Sequence, residues 1–102
     1  KLGDSMDVAA GADAARACGL AIIAQLRVAC EGDLDRVVRA VRLTGFVNST
    51  PGFTDQPRVI NGCSDLMVAV FGDAGRHARA AVSAASLPLG VAVEIDAIFE
   101  VR

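Results

Sequence analysis

From Val91 to Val101 the chain alternates between a wholly apolar set of positions and a set that carries every charge. Val91, Val93, Ile95, Ala97, Phe99 and Val101 fall on one side, and Ala92, Glu94, Asp96, Ile98 and Glu100 on the other. A period of two suits only an extended strand with one face buried. Such a strand cannot exist alone, so it obliges the rest of the chain to supply partners and a layer to cover its apolar side. The nearest partner in sequence is Ala78–Ala85, joined through Leu87-Pro88-Leu89-Gly90. This spacing predicts an antiparallel pair around a turn. A third strand, from about Arg36 to Val47, is rich in β-branched residues, with Val37, Val41, Leu43 and Val47 on one face and Arg39 interrupting them.

The covering layer comes from two helical stretches. Asp7 is placed to cap the first, and Val8, Ala12, Ala15, Gly19, Ile22, Ile23, Leu26 and Cys30 recur at helical spacing before Gly32 ends it. The second follows the Asn48–Thr54 turn segment, with Thr54 or Asp55 as cap and Pro57 in its first turn. Its stripe is Val59, Cys63, Leu66, Met67 and Val70, closed by Gly72. The order α-β-α-β-β reads as one α+β domain over residues 1–102, with both helices on one face of a mixed sheet.

Composition limits what this domain can do. A net charge of −2 and a pI of about 5.2 leave no basic stripe for phosphates, and four Phe with no Trp or Tyr leave no base-stacking platform. No nucleic-acid partner is expected. Unbroken apolar runs such as Leu20 to Ala24 are too short to span a bilayer, so no membrane partner is expected either. Cys18, Cys30 and Cys63 lack metal-ligand or redox spacing and read as small buried hydrophobes in a cytoplasmic protein; no metal is implied. A hydrophobic share of 53% exceeds what so small an interior absorbs, which points to apolar surface buried between subunits.

Two charged residues stand out against this background. Arg79 lies among small apolar neighbours, where it is either a surface ion-pair partner or a half-buried guanidinium needing an anion. Glu94 is either an ordinary residue of a wet sheet face or, if the turn at Leu87–Gly90 folds its strand back, a carboxylate beside Arg79. Ser83 shares the strand face of Arg79 and could reach a ligand there. It has no evident base and is no nucleophile. His77, the only histidine, reads as structural or surface. Arg36, Arg39 and Arg42 recur every third residue, which on a regular strand sets Arg39 opposite the others and precludes a phosphate-binding stripe.

Three segments carry a family resemblance: Gly45-Phe-Val-Asn-Ser-Thr-Pro-Gly-Phe-Thr-Asp-Gln-Pro57 with Val59-Ile-Asn-Gly62, Phe71-Gly-Asp-Ala-Gly-Arg-His-Ala-Arg79, and the ending Arg79-x-x-Val, Leu-Pro, hydrophobic-Glu94-hydrophobic. They resemble the Rid/YjgF family, also known as L-PSP endoribonuclease-like proteins, and an uncharacterised branch of it. The resemblance implies the chorismate-mutase-like fold, β-β-α-β-α-β-β, in a homotrimer with pockets between subunits. It also implies that N-terminal strands are missing from this chain, which begins at Lys1. By the same resemblance Arg79 binds a substrate carboxylate, Glu94 is the acid/base that positions water, and Asn61 lines the pocket. No cofactor is implied. The expected reaction is hydrolytic deamination of small 2-imino acids to 2-oxo acids and ammonia. The alternatives are non-catalytic holding of a small carboxylate metabolite and, against the acidic balance, RNA cleavage. Ala81 departs from the family's imine deaminases, which usually carry cysteine two residues after the arginine.

Overall fold

The computed structural model describes all 102 residues. Helix α1 (Val8–Ala29) starts where the Asp7 carboxylate accepts the Ala10 amide at 2.8 Å, and it ends at Cys30 as the chain turns through Glu31 and Gly32, both at positive φ. A single 3-10 turn, Leu34–Arg36, leads into strand β1 (Val37–Asn48). Helix α2 (Gln56–Phe71) follows, with Pro57 in its first turn. The short turn Gly72–Gly75 then delivers strand β2 (Ala78–Ala84), and a 3-10 turn at Pro88–Gly90 precedes strand β3 (Val93–Val101).

The sheet order is β2-β1-β3, which overturns the expected pairing of the last two strands. β1 lies between them, parallel to β2 from Arg42↔Ala78 to Asn48↔Ala84 and antiparallel to β3 from Val47↔Val93 to Val37↔Val101. The physical reason lies in the connections. β1–α2–β2 is a strand–helix–strand crossover, the arrangement that joins parallel neighbours. The segment after β2 then passes over the end of β1, held by Asn48 N–H on Ala92 O (2.9 Å), Ser49 N–H on Ala84 O (3.2 Å) and the Asn48 side chain on Val91 O (3.1 Å). A tight hairpin would have left the long apolar β1 without a central place.

Two register shifts against β3, between Val37 and Arg39 and between Ala40 and Arg42, leave Val38 and Val41 unpaired. They break the regular alternation on which the arginine reading relied. Arg39 now pairs with Glu100 (Nε–Oε1 3.0 Å) and Arg42 with Ile98, so both arginines lie on the face turned away from the helices. Arg36 stands outside the strand and donates to Arg102 O. The Arg39–Glu100 pair is exposed and contributes little to stability.

Both helices cover the other face. The core joins Leu2, Ala15, Leu43, Val47, Val59, Ile60, Cys63, Met67 and Val93, with Phe71 and Phe99 packed ring to ring at 5.9 Å. On α2 the buried stripe includes Ile60, while Val70, expected inside, is 46% exposed. α1 is long and apolar enough to cross a membrane by length and composition alone, yet here it packs along α2. The contact is close: a Cβ on Gly62 would lie 2.0 Å from the Ala12 carbonyl oxygen. The uncovered face carries Val82 and Ile98 beside Thr44, Phe46, Glu94 and Asp96, so exposed apolar side chains are interleaved with carboxylates.

The cysteines are free, as expected. Burial pushes the Cys63 thiol up from 9.0 to about 11, with a smaller contribution from the neighbouring Cys18, whose own thiol is raised by burial. The folded state therefore holds the Cys63 proton more tightly than the unfolded chain does. Stability from this group is complete below pH 9.0 and is lost as pH rises towards about 11. We expect denaturation midpoints to fall over that interval and the fall to shrink in Cys63→Ala compared with its own neutral-pH value. A slope unchanged in the variant would assign the effect elsewhere.

Candidate functional site

The middle of α2, Arg76 and His77 just before β2, and Arg79 on β2 border an open cleft of about 290 Å³ lined by Asn61, Ser64, Asp65, Val68, Arg76, His77 and Arg79. Local folding sets each member. Asn61 and Ser64 are one helical turn apart and so share a face of α2. His77 and Arg79 are two apart on extended chain and so point the same way. In the register, Arg79 is level with buried Leu43, which turns it towards α2.

A chain of hydrogen bonds connects these groups. Arg79 Nη1 donates to Ser64 Oγ (3.1 Å), and Nη2 reaches the Pro57 carbonyl (3.4 Å). Ser64 Oγ lies 2.9 Å from His77 Nε2, and His77 Nδ1 lies 2.6 Å from the Gly75 carbonyl. A carbonyl only accepts, so Nδ1 carries the proton and Nε2 presents a lone pair. Ser64 therefore donates to Nε2 while accepting from Arg79. Each proton position follows from its partner.

The guanidinium of Arg79 is half-buried and touches only neutral acceptors. The three ion pairs in the chain use Arg39, Arg58 and Arg76. Arg79 thus retains an unmatched charge facing the cleft, with donor geometry suited to a carboxylate. No three histidine, cysteine or acidic side chains converge at one point in the chain.

Asn61 and Arg79, expected together, do line one cleft. Ser83 and Glu94 do not line it. Ser83 is on the same strand face as Arg79 but further along. Its hydroxyl is 2.7 Å from Ser49 Oγ and accepts from Gln56 Nε2 at 2.7 Å, beside a separate depression lined by Lys1, Thr50 and Pro51. Glu94 is exposed and pairs with Phe46, on the far strand and on the face away from the helices. Within one chain it cannot meet a ligand held by Arg79. Ser64 was not among the expected residues, and His77 was read as structural or surface. The helical spacing Asn61–Ser64 and the extended spacing His77–Arg79 were the available signals.

A sheet with one parallel and one antiparallel pairing, backed by two helices, is an α+β architecture. The family model described as "YjgF/chorismate mutase-like, putative endoribonuclease" matches residues 1–100, and the chain belongs to that family. It is 55% identical to Protein TCP17 of Trypanosoma cruzi over 103 residues, which cover all of this chain and 64% of that protein. Among solved structures it superposes on the protein Atu1372 of Agrobacterium tumefaciens, of unknown function, with a TM-score of 0.96 at 50% identity, covering 98% of this chain and 64% of that one. A second, described as a putative endoribonuclease from Shewanella oneidensis, gives 0.94 at 35% identity, covering 99% and 66%. The chain therefore spans about two thirds of the length of these relatives.

Proposed function

We propose that the cleft binds a small 2-imino or 2-enamino acid through its carboxylate and that the protein hydrolyses it to the 2-oxo acid and ammonia. The observation carrying this reading is the Arg79 guanidinium, which faces the cleft without an anionic partner. A bound carboxylate would take both Nη groups in place of weak neutral contacts. Water adds to the C=N carbon, the nitrogen gains two protons in all, and ammonia leaves as the carbonyl forms. A protonated imine is electrophilic enough to need no cofactor.

Glu94 can position that water only from a second copy, since its own chain holds it on the opposite face. The homotrimer implied by the family resemblance would supply such a copy, and exposed Val82 and Ile98 offer apolar surface for it. Freshly generated 2-iminopropionate is the test substrate, with ammonia release as the readout. Arg79→Ala and Glu94→Gln should each lose most of the activity alone. Mixed and re-associated, they should recover part of the activity, because some sites would then combine an intact Arg79 with an intact Glu94. Two impaired variants that never complement would overturn the shared arrangement.

A second reading, non-catalytic holding of the carboxylate, is favoured by the absence of Glu94 from the cleft. Retained binding without ammonia release from the unaltered protein would select it. RNA cleavage draws no support from the cleft, whose lining holds no Phe, Tyr or Trp to stack a base.

A further inference from the structure

We infer that Ser64 is a nucleophile and His77 its general base, giving the cleft an acyl-ester hydrolase activity separate from imine hydrolysis. Three relations define such a site: a hydroxyl bonded to a base, a third group that orients the base, and donors for the developing oxyanion. All three have counterparts here. Ser64 Oγ is 2.9 Å from His77 Nε2. The Gly75 carbonyl, 2.6 Å from Nδ1, fixes the tautomer that leaves Nε2 free to accept a proton. Asn61, one turn before Ser64 on α2, lines the cleft and has no side-chain hydrogen bond within the chain, so its amide is free to donate. The Arg79 charge beside Ser64 Oγ stabilises negative charge at the same place.

The orienting carbonyl is itself rigidly placed. Gly75 is buried and packed so that a Cβ would lie 2.2 Å from the Met67 carbonyl oxygen. The turn therefore holds the carbonyl against the end of α2, which also carries Ser64. Nucleophile, base and orienter are fixed by one helix and the turn that leaves it.

The reaction balances without a cofactor. Ser64 Oγ attacks the ester carbonyl carbon as its proton moves to His77 Nε2. The tetrahedral oxyanion, held by Asn61 and Arg79, collapses; the ester C–O bond breaks and the alcohol departs with the proton from His77. Water then attacks the acyl-serine, giving its proton to His77, and the carboxylic acid leaves as Ser64 regains a proton. The cleft, about 290 Å³, has room for a small acyl ester.

A fluorophosphonate probe tests this on the full chain, read by intact-mass spectrometry and peptide mapping. The expected result is one covalent adduct, on Ser64, absent from Ser64→Ala. Labelling should slow by about 10²-fold or more in His77→Ala and recover in part with added imidazole, the scale of general-base catalysis. Thermal melts of both variants confirm folding, and the imidazole recovery within a single variant keeps the result independent of any small shift in stability. No adduct, an adduct on another serine, or Ser64 labelling indifferent to His77 would each overturn the inference. The ammonia assay depends on Arg79 and Glu94 rather than on phosphonylation of Ser64, so failure of one reading is distinguishable from failure of the other.

Discussion

Arg79→Ala should lower kcat/KM for 2-iminopropionate by about 30-fold or more, from the range of about 2–5 kcal/mol expected when a charge-assisted pair is truncated. The lower end applies because the guanidinium is only half-buried. Arg79→Lys keeps the charge but loses the planar fork and its two parallel donors, and should recover only part of that loss. Stability should barely move, since the contacts given up are a hydroxyl at 3.1 Å and a carbonyl at 3.4 Å at the edge of the domain. Steady-state kinetics beside a thermal melt separate the two effects. Full activity in Arg79→Ala would remove the carboxylate anchor from the proposed mechanism.

The largest effect on stability should come from Gly62→Val. At this position the two helices touch through backbone: a Cβ would be 2.0 Å from Ala12 O and 2.8 Å from Ala12 C. A flexible side chain could swing aside, but a helix backbone moves only as a unit. α1 would have to withdraw from α2, loosening the contacts of Gly19 with Leu66 and Cys63. Overpacking of this kind costs about 1–3 kcal/mol and occasionally more, and rigid backbone on one side places Gly62→Val at the upper end. For a domain of this size, about 3 kcal/mol corresponds to a fall in Tm of roughly 12–24 °C. Gly52→Ala is the matched control, since nothing lies within 4 Å of a Cβ there. Calorimetry showing equal Tm values for the two variants would sink the close-contact account.

Element types were legible because each depended on local spacing: the caps, the helical stripes and the alternation of Val91–Val101 needed no knowledge of neighbours. Strand order was not legible from a turn motif alone. Leu87-Pro88-Leu89-Gly90 resembles hairpin chemistry, but it serves a crossing over the end of β1. The stronger signal was the helix between β1 and β2, which favours a parallel pair. That one error joined Arg79 to Glu94, two residues now placed on different strands and opposite faces.

The candidate site was half legible. Arg79 and Asn61 came from motif resemblance, and both line the cleft. Ser64 and His77 were missed because their significance is a hydrogen bond between elements thirteen positions apart. Periodicity reports which face a residue occupies, not which faces meet. Ser83 shows the converse failure: the right face, but too far along the strand to share the cleft.

The two register shifts in β1 have a consequence for how this strand can change length. Val38 and Val41 are surplus residues, each facing no partner on β3. Losing either would restore regular pairing around it while every remaining residue kept its side of the sheet. Loss of any paired residue would turn all the residues beyond it over, exchanging core for solvent. β1 is thus a strand with two built-in places where a one-residue deletion is silent in register, the second of them, Val41, next to the Arg42–Ala78 pair where β2 begins.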